Sequence, residues 1–236
     1  MSRTLDDVLS AEDLAVHRVS TVDYVADRLK AMIADGRLPQ GERLREMPLA
    51  EAFSVSRTTI RDAIRALAAE GLVTHEFHKG AMVALLSRAD ITEVYRIRRL
   101  LELPALAEAQ HGPDEATKKA RQALATCAEA ADDDYSSFVE AEIAFHAAIV
   151  GYLGSPRIDQ FFARILSTLR LALSLLGEDR RPTTTHNLIR RYNEIFDAAR
   201  RGEVAAAQRQ LAAHLDAYEA RLLRSAELKI EKAGSD

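Results

Sequence analysis

The sequence predicts a mainly α-helical protein of two parts: three helices with a small β-hairpin at the N-terminal end, then an antiparallel bundle of about six helices. Three observations predict it. Apolar residues recur at helical spacing through most of the chain. The period changes to that of paired strands only once, directly after Gly71. No strand signal returns beyond Leu86, where glycine and proline punctuate segments of helix length.

Each element has a local reason. Ser20 and Thr21 can cap a helix whose apolar residues Val22, Val25, Leu29, Met32 and Ile33 share a face, and Gly36 stands where it should end. GRLPQGERL reads as a turn-rich connector. A short helix is expected over 48–53, with Leu49 and Phe53 on one side, and Ser54-Val55-Ser56 breaks it. The helix expected from Arg57 to Glu70 buries Ile60, Ala63, Ile64 and Leu67. Gly71 is its expected terminator, because glycine alone enters the left-handed region without steric cost. LVTHEFHKGAMVALL then sets apolar and β-branched residues on both sides of His78-Lys79-Gly80, the pattern of a hairpin. Helix, helix, turn, helix and hairpin is the order of a winged helix-turn-helix.

Ser87 and Asp90 form an S-x-x-D helix start, and Ile91, Val94, Ile97, Leu100 and Leu101 carry the periodicity up to His111-Gly112-Pro113. Further helices are expected over 113–131, 135–152, 155–176, 183–201 and 203–229. The expected organisation is an N-terminal arm over 1–19, a winged domain over 20–86, a helical domain over 87–230 and a tail over 231–236.

With 236 residues, 47% hydrophobic and 29% charged, the chain has the composition of a globular protein of one large or two smaller domains. Its single cysteine, Cys127, lies among alanines and reads as a buried thiol in a reducing compartment. The arm has acids where a signal peptide needs bases, and no apolar run reaches the ~20 residues of a membrane helix. The expectation is a cytoplasmic protein with no membrane partner. The net charge is −4, and residues 20–86 hold nine Lys/Arg against nine Asp/Glu. Any nucleic-acid contact must therefore come from local arrangement.

That arrangement is present at the start of the third helix. A helix that enters the major groove end-on needs small or hydroxylated residues there, with arginines able to reach a guanine edge. Ser56, Arg57, Thr58, Thr59 and Arg61 supply the set, and Arg65 lies a turn further on for phosphate. His78 and Lys79 at the hairpin tip could touch an adjacent groove. The alternative is an ordinary solvated face, since amphipathic helices commonly carry arginine. The short preceding helix, the three-residue turn and the hairpin favour the first reading.

GRLPQGERLRE, LAEAFSVSRTTIRDAIRALAAEGLV and HKGAMV resemble the DNA-binding domain of the GntR family of bacterial transcriptional regulators. The helical remainder is similar to the FadR-type effector domain, often called FCD. The resemblance puts Arg45, Arg57, Thr58, Arg61 and Gly80 at DNA-contacting positions. It departs at Met47, where the family usually has a basic residue. It implies a regulator, usually a repressor, that binds a double-stranded DNA operator as a homodimer.

Glu142 and His146 are four residues apart and share a helix face, and His214 lies on the last helix. A carboxylate and two imidazoles from different helices suit a divalent metal, although E-x-x-x-H pairs are often surface ion pairs. The FCD resemblance implies that Glu142, His146 and His214 stand at three of four metal-ligand positions. Tyr192 stands at the third, and His186 is six residues earlier, about 240° around a helix. Two readings stay open: a site that still takes zinc, nickel, manganese or iron, or a metal-free pocket in which Tyr192 bonds the effector. The resemblance also places Arg98 facing the pocket, which implies a small organic acid effector; its alternative is an i,i+4 pair with Glu102. No H-E-x-x-H, G-x-S-x-G or P-loop pattern supports the competing reading of a metal-dependent enzyme. A third reading makes the bundle a dimerisation module with structural histidines.

Overall fold

The computed structural model describes residues 20–76, 80–130, 135–173 and 182–233. The first part comprises α1 (Thr21–Ala34), α2 (Glu46–Phe53), α3 (Arg57–Ala69), β1 (Val73–Glu76) and β2 (Gly80–Val83). The second comprises α4 (Arg88–Glu108), α5 (Asp114–Ala130), α6 (Tyr135–Gly151), α7 (Pro156–Leu173), α8 (Pro182–Arg200) and α9 (Val204–Ala233). This is a winged helix-turn-helix followed by a helical bundle, as the periodicity predicts.

Side-chain caps set the helix starts. The Ser20 hydroxyl accepts the Asp23 amide at 3.1 Å, and the Ser56 hydroxyl accepts the Thr59 amide at 3.0 Å. Ser87 and Asp90 complete a reciprocal capping box at the start of α4. Each such cap contributes about 1 kcal/mol by satisfying amides that have no partner within the helix. The α3 helix ends at Gly71, whose φ of +80° lets the Leu72 amide turn back to the Leu67 carbonyl at 3.0 Å.

In the wing, β1 and β2 run antiparallel with Val73 opposite Val83 and Thr74 opposite Met82. The connector before α2 is more than a turn. Its Leu44 amide donates to the Ala81 carbonyl, and Val83 donates to the Glu42 carbonyl, both at 2.9 Å. The free edge of β2 needs partners for its amides and carbonyls, and this distant segment supplies them.

Two apolar clusters form. Val25, Leu29, Ile33, Leu44, Ile60, Ile64, Leu67, Leu72 and Val83 pack in the winged part, joined there by Leu171 from α7. The second cluster is assembled by α4 to α9, with α5 along α6, α4 on α9 and α6, and α8 on α9. Gln40 ties the two together: its side-chain amide donates to the Leu171 carbonyl at 2.9 Å, and its oxygen accepts the Leu86 amide at 3.0 Å.

One expected face is corrected. Ile91 and Val94 are buried as predicted, but Leu100 is 64% exposed, while Arg98 and Glu102 are buried. The apolar stripe on α4 runs into a polar one because the two charges neutralise each other inside the bundle. Replacing Leu171 with Ala should cost about 2–5 kcal/mol, as for other buried leucines. Denaturant unfolding checks this, and an unchanged midpoint would show that the winged cluster does not depend on α7.

Candidate functional site

The start of α3 opens onto a concavity of about 600 Å³. Arg43, Arg45, Arg57, Arg61 and Arg65 line it, with His75, Gly80 and Met47. Arg57, Arg61 and Arg65 keep 60%, 45% and 68% of their side-chain surface exposed, because the apolar stripe of α3 turns the opposite face inward. Arg45 stands at the N-cap of α2, and Gly80 opens β2 with φ +82°.

Ser56, Thr58 and Thr59 lie outside the lining of this concavity. The Ser56 and Thr59 hydroxyls are 2.8 Å apart, so both are engaged in starting the helix. Thr58 is exposed beside them. His78 and Lys79 fall outside the described residues. Sequence reasoning missed Arg43, which only the pairing of the connector with β2 brings to the wing. It also missed Glu46, whose carboxylate accepts Arg61 Nε at 2.9 Å and Arg61 Nη2 at 2.8 Å. That hydrogen bonding holds the Glu46 carboxyl below the usual carboxylate range.

The second site is enclosed by the bundle. Glu142 and His146 on α6 and His214 on α9 are buried, and their ligand atoms lie within 4.8 Å of one another. Tyr192 on α8 is also fully buried; its hydroxyl donates to Glu142 Oε1 at 2.6 Å and lies 3.2 Å from His214 Nε2. The two imidazoles stack with centroids 5.7 Å apart, and Tyr192 meets both edge-on. His186 is exposed on α8, on the side the helical angle predicts.

Behind His146 stands a chain of charges. Arg98 Nε donates to Glu102 Oε1 at 2.6 Å, and Glu102 Oε2 lies 2.6 Å from His146 Nδ1. An anionic carboxylate accepts, so the proton of a neutral imidazole sits on Nδ1 and Nε2 keeps its lone pair. Both His146 Nε2 and His214 Nδ1 are buried without a hydrogen-bond partner among the described residues, as is Arg98 Nη2. Arg98 thus makes the i,i+4 pair and still retains a donor. Glu102 is the functional residue that spacing alone reduced to a partner of Arg98.

Burial governs the protonation states. It opposes charge on Glu102, yet Arg98 and His146 together hold that carboxyl below its ordinary value of 4.5. On Glu142 burial prevails over the Tyr192 hydrogen bond and raises the carboxyl. Burial, reinforced by Glu142, lifts the Tyr192 phenol well above its usual range, so it remains a donor. Burial, with the charge of Arg98 adding to it, drives His214 well below 6.5, leaving a neutral imidazole. The Cys127 thiol is pushed up to about 12 by burial and by Glu142, which makes it inert. A larger concavity of about 840 Å³ lies between α5 and α6, but its wall is rich in alanine and none of the buried polar residues reaches it.

Removing Glu102 by Glu102→Ala should destabilise the fold by about 3–5 kcal/mol, because Arg98 would be left buried without its counter-ion. Glu102 is depressed in the folded state, so its contribution is present above the unfolded carboxyl pKa and is lost as pH falls through the lower folded value. The stability difference between wild type and variant should hold above the ordinary carboxyl value of 4.5 and narrow as pH falls below it; parallel acid unfolding curves would contradict this role.

Comparison with known proteins agrees with both halves of the geometry. Residues 21–83 match the gntR family of bacterial regulatory proteins, and residues 93–217 match the FCD domain. The chain is 27% identical to the "Probable D-xylose utilization operon transcriptional repressor" of Paenarthrobacter nicotinovorans, over 89% of this chain and 92% of that protein. It is 40% identical to the gluconate operon transcriptional repressor of Bacillus licheniformis, over 36% of this chain and 35% of that protein. A crystal structure of a GntR transcriptional regulator from Rhodococcus sp. RHA1 is similar with a TM-score of 0.73 at 31% identity, covering 86% of this chain and 97% of that one. E. coli McbR/YncC shares the fold, with a TM-score of 0.71 at 22% identity, over 88% of this chain and 99% of that one. An arginine-lined winged helix joined to a bundle with a buried Glu/His/His group, matched over both segments, makes this chain a member of the GntR family of DNA-binding transcriptional regulators, of the FadR type with an FCD domain.

Proposed function

We propose that this regulator is a repressor whose operator binding responds to a small organic acid held in the bundle. The observation that carries DNA reading is the exposure of Arg57 and Arg61 at the N-terminal end of α3, above a concavity with three further arginines. A winged domain alone gives a small interface, so two copies on a two-fold site supply the remaining contacts and counterion release. Gel filtration and footprinting of a palindromic site test the homodimer.

The buried site suits a divalent cation, with Glu142, His146 and His214 as its holders. Support comes from the imidazole lone pairs that have no hydrogen-bond partner among the described residues and from Glu102, which orients His146 as second carboxylates orient metal-bound histidines. His214 is neutral and ready to donate, and burial raises the Glu142 carboxyl, so uptake, which needs its carboxylate form, strengthens as pH rises. Tyr192 keeps its proton, which suits a hydrogen-bond donor better than a ligand. A cation there would attract an organic carboxylate. Arg98 Nη2, buried and lacking an acceptor among the described residues, is the protein donor that such an anion would meet.

A metal-free pocket is the second reading, favoured by the Tyr192–Glu142 hydrogen bond that already occupies the carboxylate. The route from this site to the winged part runs through α6 and α7. Glu140 on α6 grips Arg170 with two 2.6 Å hydrogen bonds, and the adjacent Leu171 packs in the winged cluster. A shift of α6 on ligand binding would therefore reach the DNA-reading helix through packed elements.

Arg57→Ala should abolish preference for a selected operator at fixed salt, a loss of about tenfold or more, with the dichroism spectrum unchanged; retained preference would sink the assignment. Elemental analysis of the purified protein should find a divalent metal that His146→Ala lacks. Added ion at about a hundred times its Kd should stabilise wild type by about 2.7 kcal/mol. No melting response to any divalent ion would select the metal-free reading.

A further inference from the structure

Among the described residues lining the arginine concavity, Glu46 is the sole acid, facing five arginines. It opens α2 and is 29% exposed. Its carboxylate grips Arg61 through the Nε and Nη2 side edge of the guanidinium and lies 3.5 Å from Arg57 Nη2. A guanidinium has five donors in a rigid fork. With the side edge held, Nη1 and the outer hydrogen of Nη2 remain to face a ligand.

We propose that Glu46 is a specificity-determining residue for DNA. It cancels much of the phosphate attraction of Arg61 while fixing the terminal edge of that guanidinium for a base. This rests on the reading of α3 as the DNA-contacting helix. A loose arginine finds phosphates on every duplex, and that attraction carries no sequence information. A neutralised and aimed arginine gains little from phosphate but still meets guanine O6 and N7 with two hydrogen bonds. The carboxylate thus weakens binding everywhere and weakens it least where the base edge fits.

The experiment compares full-length wild type, Glu46→Gln and Glu51→Gln. Glu51 is exposed on the same helix and lies outside the concavity, so its variant removes the same charge without freeing Arg61. The probes are the duplex most enriched from a randomised pool and a scrambled duplex of equal composition, titrated by fluorescence anisotropy between about 50 and about 200 mM salt. Glu46→Gln should bind the scrambled duplex more tightly. Its slope of log affinity against log salt should steepen by about 0.9 for each arginine released. Preference for the selected duplex should fall about fivefold or more. Glu51→Gln should keep the wild-type preference. If Glu46→Gln keeps the wild-type slope and preference, or changes only as Glu51→Gln does, the proposal is wrong and the DNA-reading assignment stands. Failure of the wild type to enrich any duplex would overturn that assignment and the proposal with it.

Discussion

The buried run Arg98–Glu102–His146 is the constraint around which the bundle is arranged. A guanidinium and a carboxylate taken from water each lose several kcal/mol of hydration, and only close, well-directed partners return it. Glu102 has such partners on both oxygens, one from its own helix and one from α6. The register of α4 against α6 follows, because a displacement of even one residue would leave one of these charges alone in an apolar interior. The same contact decides which nitrogen of His146 is left without a hydrogen-bond partner among the described residues. Structure and chemistry therefore share one set of hydrogen bonds.

Position along α6 and α7 connects this polar centre with the winged part. Glu140 lies one half-turn before Glu142, and its carboxylate holds Arg170 beside the leucine that completes the N-terminal cluster. Gln40 reaches the same place from the other side. The winged part is consequently seated on the bundle through packing and hydrogen bonds together.

Most of the fold was legible because its signals are local. Serine caps at 20 and 87, the break before Arg57, glycine at 71 and the apolar stripe of α3 each act within a few residues, and all stand where spacing predicts them. The buried group was partly legible: Glu142, His146 and His214 were candidates by residue type and helix position, whereas Tyr192 entered through family likeness. The α4 face misled for a physical reason. Leu100 carries the apolar pattern, yet the satisfied pair of Arg98, already turned inward by the family likeness, and Glu102 is buried where that leucine is left in water.

The chain by itself determined the helices, the turns, the basic set at the start of α3 and the candidate donors of the bundle, because each depends on residue type and short spacing. Tertiary structure alone decided that Glu46 clasps Arg61, that Glu102 orients His146, that Tyr192 bonds Glu142, and that Leu171 belongs to the winged cluster. Those contacts span 15 residues for Arg61 and Glu46, 44 for His146 and Glu102 and 50 for Tyr192 and Glu142. Their energies depend on burial and on directed hydrogen bonds, neither of which a linear pattern contains.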